Sequence, residues 1–375
     1  MRQKTQVSRR KRAHIVGYYG MSNFGDDLFC EVIRTHAIRL LPGFDVAIVG
    51  DFARYNGRRT ALRSFASRMF SSLSPLGSAV RLAVGVSSVV RADLIVLGGG
   101  SVLSSVKGVW AVQKRLAAPF RTSFRALGVS IGPFADDIDR SAVSVYAQRF
   151  DSIIVRDTSS LRNGQSLMSA DKVRLGGDLA ALYISHGADP VREPGTRRIC
   201  IALCNFPGFG AHELQSLITA TVDALASTAS PLETDHVFVV SLNSNADFGD
   251  DELSLLAAKE LANRNVQVSL VRYTDTDVDH IWALLGSMDG LIAVRLHAAI
   301  CAYMNSVPFV LLEYHQKCRD FCDDVGQNSA LRASSTPSRD AARRSITALF
   351  SAPSPTKVTP SDYATRARSV YFGEG

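Results

Sequence analysis

The sequence lacks an apolar run long enough to cross a lipid bilayer. Polar residues or glycines interrupt its apolar stretches well before the roughly 20 consecutive residues that a spanning helix needs. No apolar region with a small-residue cleavage site follows the basic residues 1–12, so a secretory signal is not expected. We therefore predict a cytoplasmic protein without a transmembrane helix.

Cysteines are few, and their spacing is not that of a metal site. The pairs Cys200/Cys204 and Cys318/Cys322 lack the short C-x₂-C spacing of zinc half-sites, although His315 lies near the second pair. Several cysteines lie inside apolar runs, where a thiol behaves as a small hydrophobic side chain. We predict reduced thiols, no metal and no cofactor.

Acidic residues are absent from two stretches of the chain. Residues 1–12 contain six lysines and arginines, and residues 52–92 contain seven arginines. Because the formal net charge is only +7, the rest of the chain carries an excess of acid. This acidic body, and the absence of aromatic residues interleaved along a basic groove, argue against a nucleic-acid-binding protein.

The second basic stretch has the pattern of a surface helix. Apolar residues at helical spacing share one face, and three arginines lie away from it. The apolar residues are Leu62, Phe65, Ala66, Met69, Phe70 and Leu73, and the arginines are Arg59, Arg63 and Arg68. Two interpretations stay open: the helix lies on an anionic membrane surface, or it packs on its own domain.

The rest of the chain alternates short apolar runs rich in β-branched residues with segments of helical periodicity. This alternation predicts an α/β fold with parallel sheets covered by helices on both faces. The predicted strands are 14–19, 45–49, 93–97, 125–130, 152–155, 198–204, 236–242, 266–271, 291–294 and 309–312. The predicted helices are 26–41, 141–150, 211–227, 250–263, 277–286, 297–305 and 338–350.

Length and composition allow two domains. The chain has 375 residues, of which 46% are hydrophobic and 21% charged, enough for two packed cores. A segment rich in proline, glycine and charge separates the two sets of strands and suits a linker. We predict a basic tail (1–12), an N-terminal α/β domain (13–186), a linker (187–196), a C-terminal α/β domain (197–335), and a final helix with a partly disordered tail (336–375).

Three segments at the ends of N-terminal strands could bind a ligand, because open α/β sheets bind ligands at the carboxyl ends of their strands. The first contains Asn23, Asp26 and Asp27, and it is not a G-x-G-x-x-G dinucleotide motif. The second is the glycine run that includes Gly99, Gly100 and Ser101, and the third contains Arg156. Alternatively, the aspartates cap a helix, the glycines form a flexible loop, and Arg156 pairs with Asp157.

The densest group of polar residues is in the C-terminal half. Arg295 and His297 directly follow an apolar strand, and Lys317 follows the next strand along the chain. Arg295 supplies a fork of hydrogen-bond donors, His297 a titratable proton donor and Lys317 a point charge. Together they suit a substrate with both phosphate and carboxylate groups. A hydrogen-bonded core histidine is the alternative for His297.

Taken in order, these motifs resemble those of polysaccharide pyruvyl transferases over residues 14–326. They are Gly-Tyr-Tyr-Gly…Asn-Phe-Gly-Asp-Asp, Gly-Gly-Gly, Ser-Ile-Gly-Pro, Val-Arg-Asp-x-x-Ser, Arg-Leu-His-Ala and Tyr-x-x-Lys. The resemblance implies two Rossmann-like domains in a GT-B-like arrangement with a cleft between them. It also implies transfer of a pyruvyl group from phosphoenolpyruvate onto two hydroxyls of a sugar, as a ketal, with release of phosphate.

The resemblance further implies a role for each candidate residue. Arg156, Arg295 and Lys317 would bind phosphoenolpyruvate as co-substrate, and His297 would be the general acid/base. The acceptor side would comprise Asn23, Asp26, Asp27, Gly99, Gly100 and Ser101. The acceptor would be a polysaccharide or lipid-linked oligosaccharide, reached from the inner face of the membrane.

Two other functions are compatible with this architecture. A GT-B glycosyltransferase with a nucleotide-sugar donor would share the two domains, but it would need a diphosphate and base pocket instead of an Arg-x-His plus Lys cluster. A noncatalytic scaffold would not bind phosphoenolpyruvate.

Overall fold

The computed structural model describes residues 11–50, 69–106, 122–187, 195–227, 235–273, 276–351 and 356–374. Their strands form two six-stranded sheets in which every pairing between neighbours is parallel. Within the described residues, α-helices lie between most successive strands of each sheet, as parallel pairing requires. The predicted α/β class with two Rossmann-like sheets is confirmed.

The N-terminal sheet has the strand order β2-β1-β3-β4-β5-β6. Its strands are β1 (Lys11–Val16), β2 (Phe44–Ile48), β3 (Leu94–Leu103), β4 (Ser123–Ile131), β5 (Phe150–Val155) and β6 (Val173–Leu175). Its helices are α1 (Phe24–Leu40), α2 (Pro75–Arg91), α3 (Asp137–Ala147) and α4 (Thr158–Leu167). The strand order reverses between β1 and β3, which places a crevice at their carboxyl ends.

The C-terminal sheet has the order β12-β11-β10-β7-β8-β9. Its strands are β7 (Arg197–Ala202), β8 (Asp235–Ser241), β9 (Gln267–Arg272), β10 (Gly290–Ala293), β11 (Phe309–Glu313) and β12 (Arg332–Ser334). Its helices are α5 (Ala211–Ala226), α6 (Asp251–Ala262), α7 (Val278–Gly286), α8 (Leu296–Met304), α9 (Gln316–Val325) and α10 (Arg339–Phe350). Here the order reverses between β7 and β10, so the second crevice lies beside Arg295.

The ten predicted strands and seven predicted helices all exist, with boundaries shifted by a few residues. Two strands and four α-helices of the described residues were not predicted: the three-residue strands β6 and β12, the helices α2, α4 and α9, and a last helix, Pro360–Phe372. Three residues are too few to show a period, and α4 and α9 are polar over much of their length.

The glycine run was predicted to form a loop after β3, and this was wrong. Strand β3 continues through Gly98–Ser101 to Leu103, with a register irregularity opposite β4 between Gly100 and Leu103. Gly99 and Gly100 have φ values of 73° and 83°, a backbone conformation that glycine adopts without steric cost. The glycines therefore lie within the strand, just before the irregularity.

One hydrophobic core extends across both halves. Phe24 and Leu28 on α1 and Ile281 and Ala298 on α7 and α8 belong to the same buried cluster, and each is fully buried. Full burial of a phenylalanine or leucine side chain contributes about 1.5–3 kcal/mol. The two sheets are therefore joined by packed side chains beneath the cleft.

The last helix, α11 (Pro360–Phe372), returns to the N-terminal half. Tyr371 donates a hydrogen bond from its phenol to the Gly177 carbonyl (2.7 Å), and the Tyr363 phenol oxygen accepts one from the Asp178 amide (2.8 Å). Both tyrosines are buried. The expectation of a partly disordered tail was wrong for these residues.

Several sequence predictions fall on residues outside the described ranges. They are the basic tail at 1–10, the linker at 188–194, and residues 52–68 of the basic amphipathic segment. No helix in the described part of the chain has both the length and the apolar character needed to span a bilayer. All six cysteines are buried, and none forms a disulfide.

Candidate active site

A cavity of about 210 Å³ lies between the carboxyl ends of the two sheets, lined by residues of both halves. The loops that follow β1 and β8 meet at this cavity. Asn23 and Asn243 form an isolated antiparallel bridge, and the Phe24 amide donates to the Leu242 carbonyl (2.9 Å). Nine of the ten predicted site residues line this cavity: Asn23, Asp26, Gly99, Gly100, Ser101, Arg156, Arg295, His297 and Lys317.

Asp27 is the tenth, and it is not among the lining residues. Its Oδ2 accepts a hydrogen bond from the Tyr273 phenol (2.7 Å), which ties α1 to the C-terminal half. Neighbouring residues on a helix point about 100° apart, so Asp26 and Asp27 cannot both face the cavity. The predicted acceptor contact of Asp27 is therefore not supported by its position.

Arg295 is locked to a buried carboxylate. It is the N-cap of α8, and its Nε and Nη2 donate to the two oxygens of Asp250 at 2.6 and 2.7 Å. Burial opposes the charge of Arg295, but the hydrogen bonds with Asp250 outweigh burial and raise the pKa of the guanidinium. The fork of hydrogen-bond donors predicted to bind a substrate anion is thus used to bind Asp250. Only the remaining N–H groups of Arg295 are available to a ligand.

Arg156 is held from several sides at the end of β5. Its Nε donates to Ser130 Oγ (2.7 Å) and its Nη2 to Ser101 Oγ (3.0 Å). Carboxylate oxygens of Asp157 and Asp178 each lie 3.6 Å from its nitrogens. Arg156 is only 5% exposed, so these contacts fix its guanidinium at the cavity wall. Arg156 therefore pairs with Asp157, as one alternative predicted, and it also lines the cavity. Its binding of an anion stays a prediction.

Lys317 differs from the two arginines because no carboxylate neutralises it. It lies in the first turn of α9, half-buried, with Nζ 5.4 Å from the centre of the Tyr314 ring. No acidic residue in the described ranges forms an ion pair with it. Burial and the charges of Arg156 and Arg295 lower the pKa of Lys317. An anion in the cavity would relieve this repulsion.

His297 is a neutral imidazole in the free protein. Its ring packs edge-on against Phe29, with centroids 5.0 Å apart, and its buried Nε2 has no hydrogen-bond partner among the described residues. Burial and the charges of Arg156, Lys317 and Arg295 lower its pKa well below the ordinary value. The alternative of a hydrogen-bonded core histidine fails, because the buried nitrogen has no partner.

Gly25 makes the approach of His297 possible. A Cβ at this position would lie 2.0 Å from His297 Nδ1 and 2.5 Å from its Cε1. No side chain larger than hydrogen can occupy that position without displacing the ring. The glycine next to Asp26 therefore sets the place of the histidine, which the sequence motif alone does not reveal.

Asp26 is the titratable group that sequence reasoning underestimated. Its Oδ2 accepts a hydrogen bond from Asn23 Nδ2 (2.8 Å). Burial and the neighbouring Asp27 raise its pKa to about 7, although the charges of Lys317 and Arg295 act in the opposite direction. A carboxyl group that titrates near neutrality inside a cavity is suited to proton transfer.

Comparison with known proteins agrees with this architecture. Residues 23–316 match the family model of polysaccharide pyruvyl transferases. No curated protein sequence matches the chain.

Among solved structures, a Listeria monocytogenes protein assigned as a UDP-N-acetylglucosamine 2-epimerase gives a TM-score of 0.63 at 9% identity, over 98% of each chain. The UDP-GlcNAc 2-epimerase of Neisseria meningitidis, bound to UDP-GlcNAc, gives 0.56 at 10% identity, over 95% of this chain and 93% of that one. At such identity the likeness concerns the fold alone. It confirms the predicted GT-B-like arrangement.

Proposed function

The chain belongs to the polysaccharide pyruvyl transferase family, and from this premise we propose that it moves a pyruvyl group from phosphoenolpyruvate onto two hydroxyls of a sugar. It is therefore a transferase. The observation that carries the proposed donor is the meeting of Arg156, Arg295 and Lys317 around His297 in one cavity.

The charges of the cavity support a small, strongly anionic donor. Arg295 is balanced by Asp250, and Arg156 lies near two carboxylates, whereas Lys317 has no acidic partner in the described ranges. Phosphoenolpyruvate carries a phosphate and a carboxylate within a few bonds of each other. We assign its phosphate to Lys317 and Arg156, and its carboxylate to the free edge of Arg295.

The acceptor would enter from the N-terminal side of the cavity. Asn23, Asp26, Gly99, Gly100 and Ser101 line that side, where the glycines expose main-chain groups to a sugar. We propose the sugar of a polysaccharide or lipid-linked oligosaccharide as acceptor, with the enzyme in peripheral contact with the inner face of the membrane. The reaction needs no cofactor in this scheme.

Proton transfer divides between two residues in the proposed reaction. The methylene carbon of phosphoenolpyruvate takes a proton from His297, and the first hydroxyl bonds to the central carbon and gives its proton to Asp26. The second hydroxyl then bonds to that carbon as the bond to the phosphate oxygen breaks. Of the two hydroxyl protons, one replaces the proton that His297 gave to the methylene carbon. The other leaves on the released phosphate. The cations stabilise the leaving phosphate.

Neutral His297 must gain a proton before it can act as the acid. The charges of Arg156, Lys317 and Arg295 help to lower its pKa, and a bound dianion would offset those charges. Donor binding would therefore raise the pKa of His297 and load it with a proton.

The decisive assay is release of inorganic phosphate from phosphoenolpyruvate in the presence of candidate lipid-linked glycans. Because Asp26 has a pKa of about 7 and acts as a base, we expect turnover to rise as the pH increases through about 7. Asp26→Asn keeps the size of the side chain but cannot accept the proton. It should lower kcat by about 10²–10⁴-fold and remove the inflection near neutrality.

Two results would count against this scheme. Phosphate release that needs no glycan would exclude transfer, and an unchanged pH profile in Asp26→Asn would exclude its role as base. Transfer from a nucleotide sugar remains the second candidate, because a neighbour of the same fold was solved with UDP-GlcNAc bound. Calorimetric titration with UDP-GlcNAc and with phosphoenolpyruvate separates the two donors.

A further inference from the structure

Helix α2 turns its larger apolar side chains toward solvent. Leu76, Leu82 and Val90 are 59%, 38% and 53% exposed, with exposed alanines at positions 79 and 83 between them. Its buried positions are instead occupied mostly by small residues: Gly77, Gly85, Ser88 and Val89. A helix that only packs on its own domain places its apolar residues the other way round. This exposed side, called here the α2 apolar face, comprises Leu76, Ala79, Leu82, Ala83 and Val90.

The α2 apolar face carries no charge. Arg81, the charged residue in the middle of α2, points away from it and donates from Nη1 to the carbonyls of Phe70 and Ser72 at 2.6 and 2.5 Å. An exposed apolar helix face without charges is typical of a surface that binds a partner.

The composition of the sequence around α2 favours an anionic partner. Residues 52–135 contain twelve lysines and arginines and a single acid, Asp93, in a chain whose other parts are rich in acid. An apolar helix within a strongly basic region fits the acyl boundary and the negative headgroups of an anionic bilayer.

The α2 apolar face begins at the rim of the active-site cavity. The Leu73 amide, just before the helix, donates to Asp247 Oδ2 (2.7 Å). Asn245 Nδ2 donates to the carbonyls of Ser71 and Met21, each at 3.2 Å, and Met21 lines the cavity. A bilayer against α2 would therefore lie next to the entrance for a lipid-linked sugar.

We propose that the α2 apolar face docks on an anionic lipid bilayer and holds the cavity rim at the membrane surface. This surface specifies the membrane contact proposed above, and it does not depend on the transfer chemistry.

The test is co-sedimentation of the full chain with vesicles of equimolar phosphatidylglycerol and phosphatidylcholine, compared with phosphatidylcholine alone. We expect binding only to the anionic vesicles, and weaker binding at 1 M salt, where the screening length falls to about 3 Å. The double variant Leu76→Ser/Val90→Ser should reduce the fraction bound by at least about tenfold, because two apolar side chains no longer enter the bilayer.

The matched control is Ile138→Ser/Val145→Ser on α3, whose two side chains are 79% and 58% exposed. Acidic residues flank Ile138 in the first turn of α3, so loss of this pair should leave vesicle binding unchanged. Equal losses in the two double variants, or no binding of the parent chain at low salt, would overturn the proposal. A dimer in ultracentrifugation that only Leu76→Ser/Val90→Ser dissociates, with vesicle binding unaffected, would assign the face to a second copy instead. Binding of phosphoenolpyruvate, measured on the same samples, reports separately on the proposed function.

Discussion

At the scale of single residues, the chemistry of the cavity depends on which cations are already paired. Arg295 shares its charge with Asp250 in a bidentate contact, Arg156 lies near Asp157 and Asp178, and Lys317 stands without an acidic partner in the described ranges. Removing one member of a buried pair is far more costly than removing an exposed charge. The arginines therefore act as hydrogen-bond donors held in fixed positions. Lys317 is the cation whose repulsion by those arginines bound phosphoenolpyruvate would relieve.

In the proposed reaction, His297 accepts a proton when phosphoenolpyruvate binds. Its pKa lies well below the ordinary value in the free protein, and a dianion in the cavity raises it. At a pH between those two values, binding of phosphoenolpyruvate should take up as much as about one proton. Calorimetric titrations in buffers of different ionisation enthalpy measure that uptake. The number of protons taken up is the slope of the observed binding enthalpy against the ionisation enthalpy of the buffer.

The His297→Ala variant should bind phosphoenolpyruvate with a smaller slope and release phosphate about 10²–10⁴-fold more slowly than the parent chain. Asp26→Asn serves as a control for the second titratable group in the cavity. If the slope in His297→Ala equals that of the parent chain, His297 does not receive the proton.

At the scale of secondary-structure elements, the first turn of α1 does two tasks. Asn23 caps the helix by accepting a hydrogen bond from the Gly25 amide (3.2 Å), and it holds Asp26 through its amide nitrogen. Loss of such a cap typically costs about 0.5–2 kcal/mol. Gly25 leaves room for the His297 ring, so the same turn positions the base and the acid of the proposed reaction.

Gly25→Ala should inactivate the enzyme without unfolding it. Alanine favours a helix by roughly 1 kcal/mol over glycine, but its Cβ would displace the His297 ring. A displacement of about 1 Å at a reacting group can lower the rate about 10²-fold, and phosphate release with thermal melting measures both effects.

Two comparisons make the Gly25→Ala result specific. Gly210→Ala, at the N-cap of α5, has its nearest contact at 3.4 Å and should leave activity unchanged. In a His297→Ala background, Gly25→Ala should cause no further loss, because the two changes act through one contact. A further loss there would mean that Gly25 acts by another route.

At the scale of the whole molecule, α11 links the end of the chain to the proposed donor side of the cavity. Tyr363 accepts a hydrogen bond from the Asp178 amide, and an Asp178 oxygen lies 3.6 Å from Arg156 Nη1. Asp178 also caps a short 3₁₀ helix by accepting from the Ala180 amide (2.9 Å). The C-terminal helix thereby supports an arginine about two hundred residues earlier in the chain.

Tyr363→Phe should weaken both stability and donor binding. It leaves the buried Asp178 amide without an acceptor, which costs about 1–3 kcal/mol, and it loosens the carboxylate beside Arg156. We expect a lower melting temperature and a several-fold higher Kd for phosphoenolpyruvate.

Tyr303→Phe is the matched control for this effect. It removes another phenol hydrogen bond, to the Val358 carbonyl (2.9 Å), away from Arg156. It should lower the melting temperature but not change the Kd. If both variants bind phosphoenolpyruvate like the parent chain, α11 has no influence on the donor site.

Strand and helix positions followed from the sequence because apolar periodicity is a local property. The residues at strand ends were also correctly grouped, since parallel strands bring their carboxyl ends to one edge, and nine of the ten candidates line one cavity. Asp27 and the glycine run could not be resolved this way. Which of two adjacent aspartates faces inward, and whether a strand continues through glycines, depend on packing partners that are distant in the chain.

The sequence by itself determined the two parallel sheets, the order of the motifs and the types of residue at the cleft, because each of these depends on near neighbours in the chain. Only the tertiary structure decided the protonation and pairing of those residues. Asp250 lies 45 residues before Arg295, and the three cations around His297 come from both sheets. Burial and charge act through space, so the pKa of His297, the raised pKa of Asp26 and the unpaired Lys317 emerge only when the two halves meet.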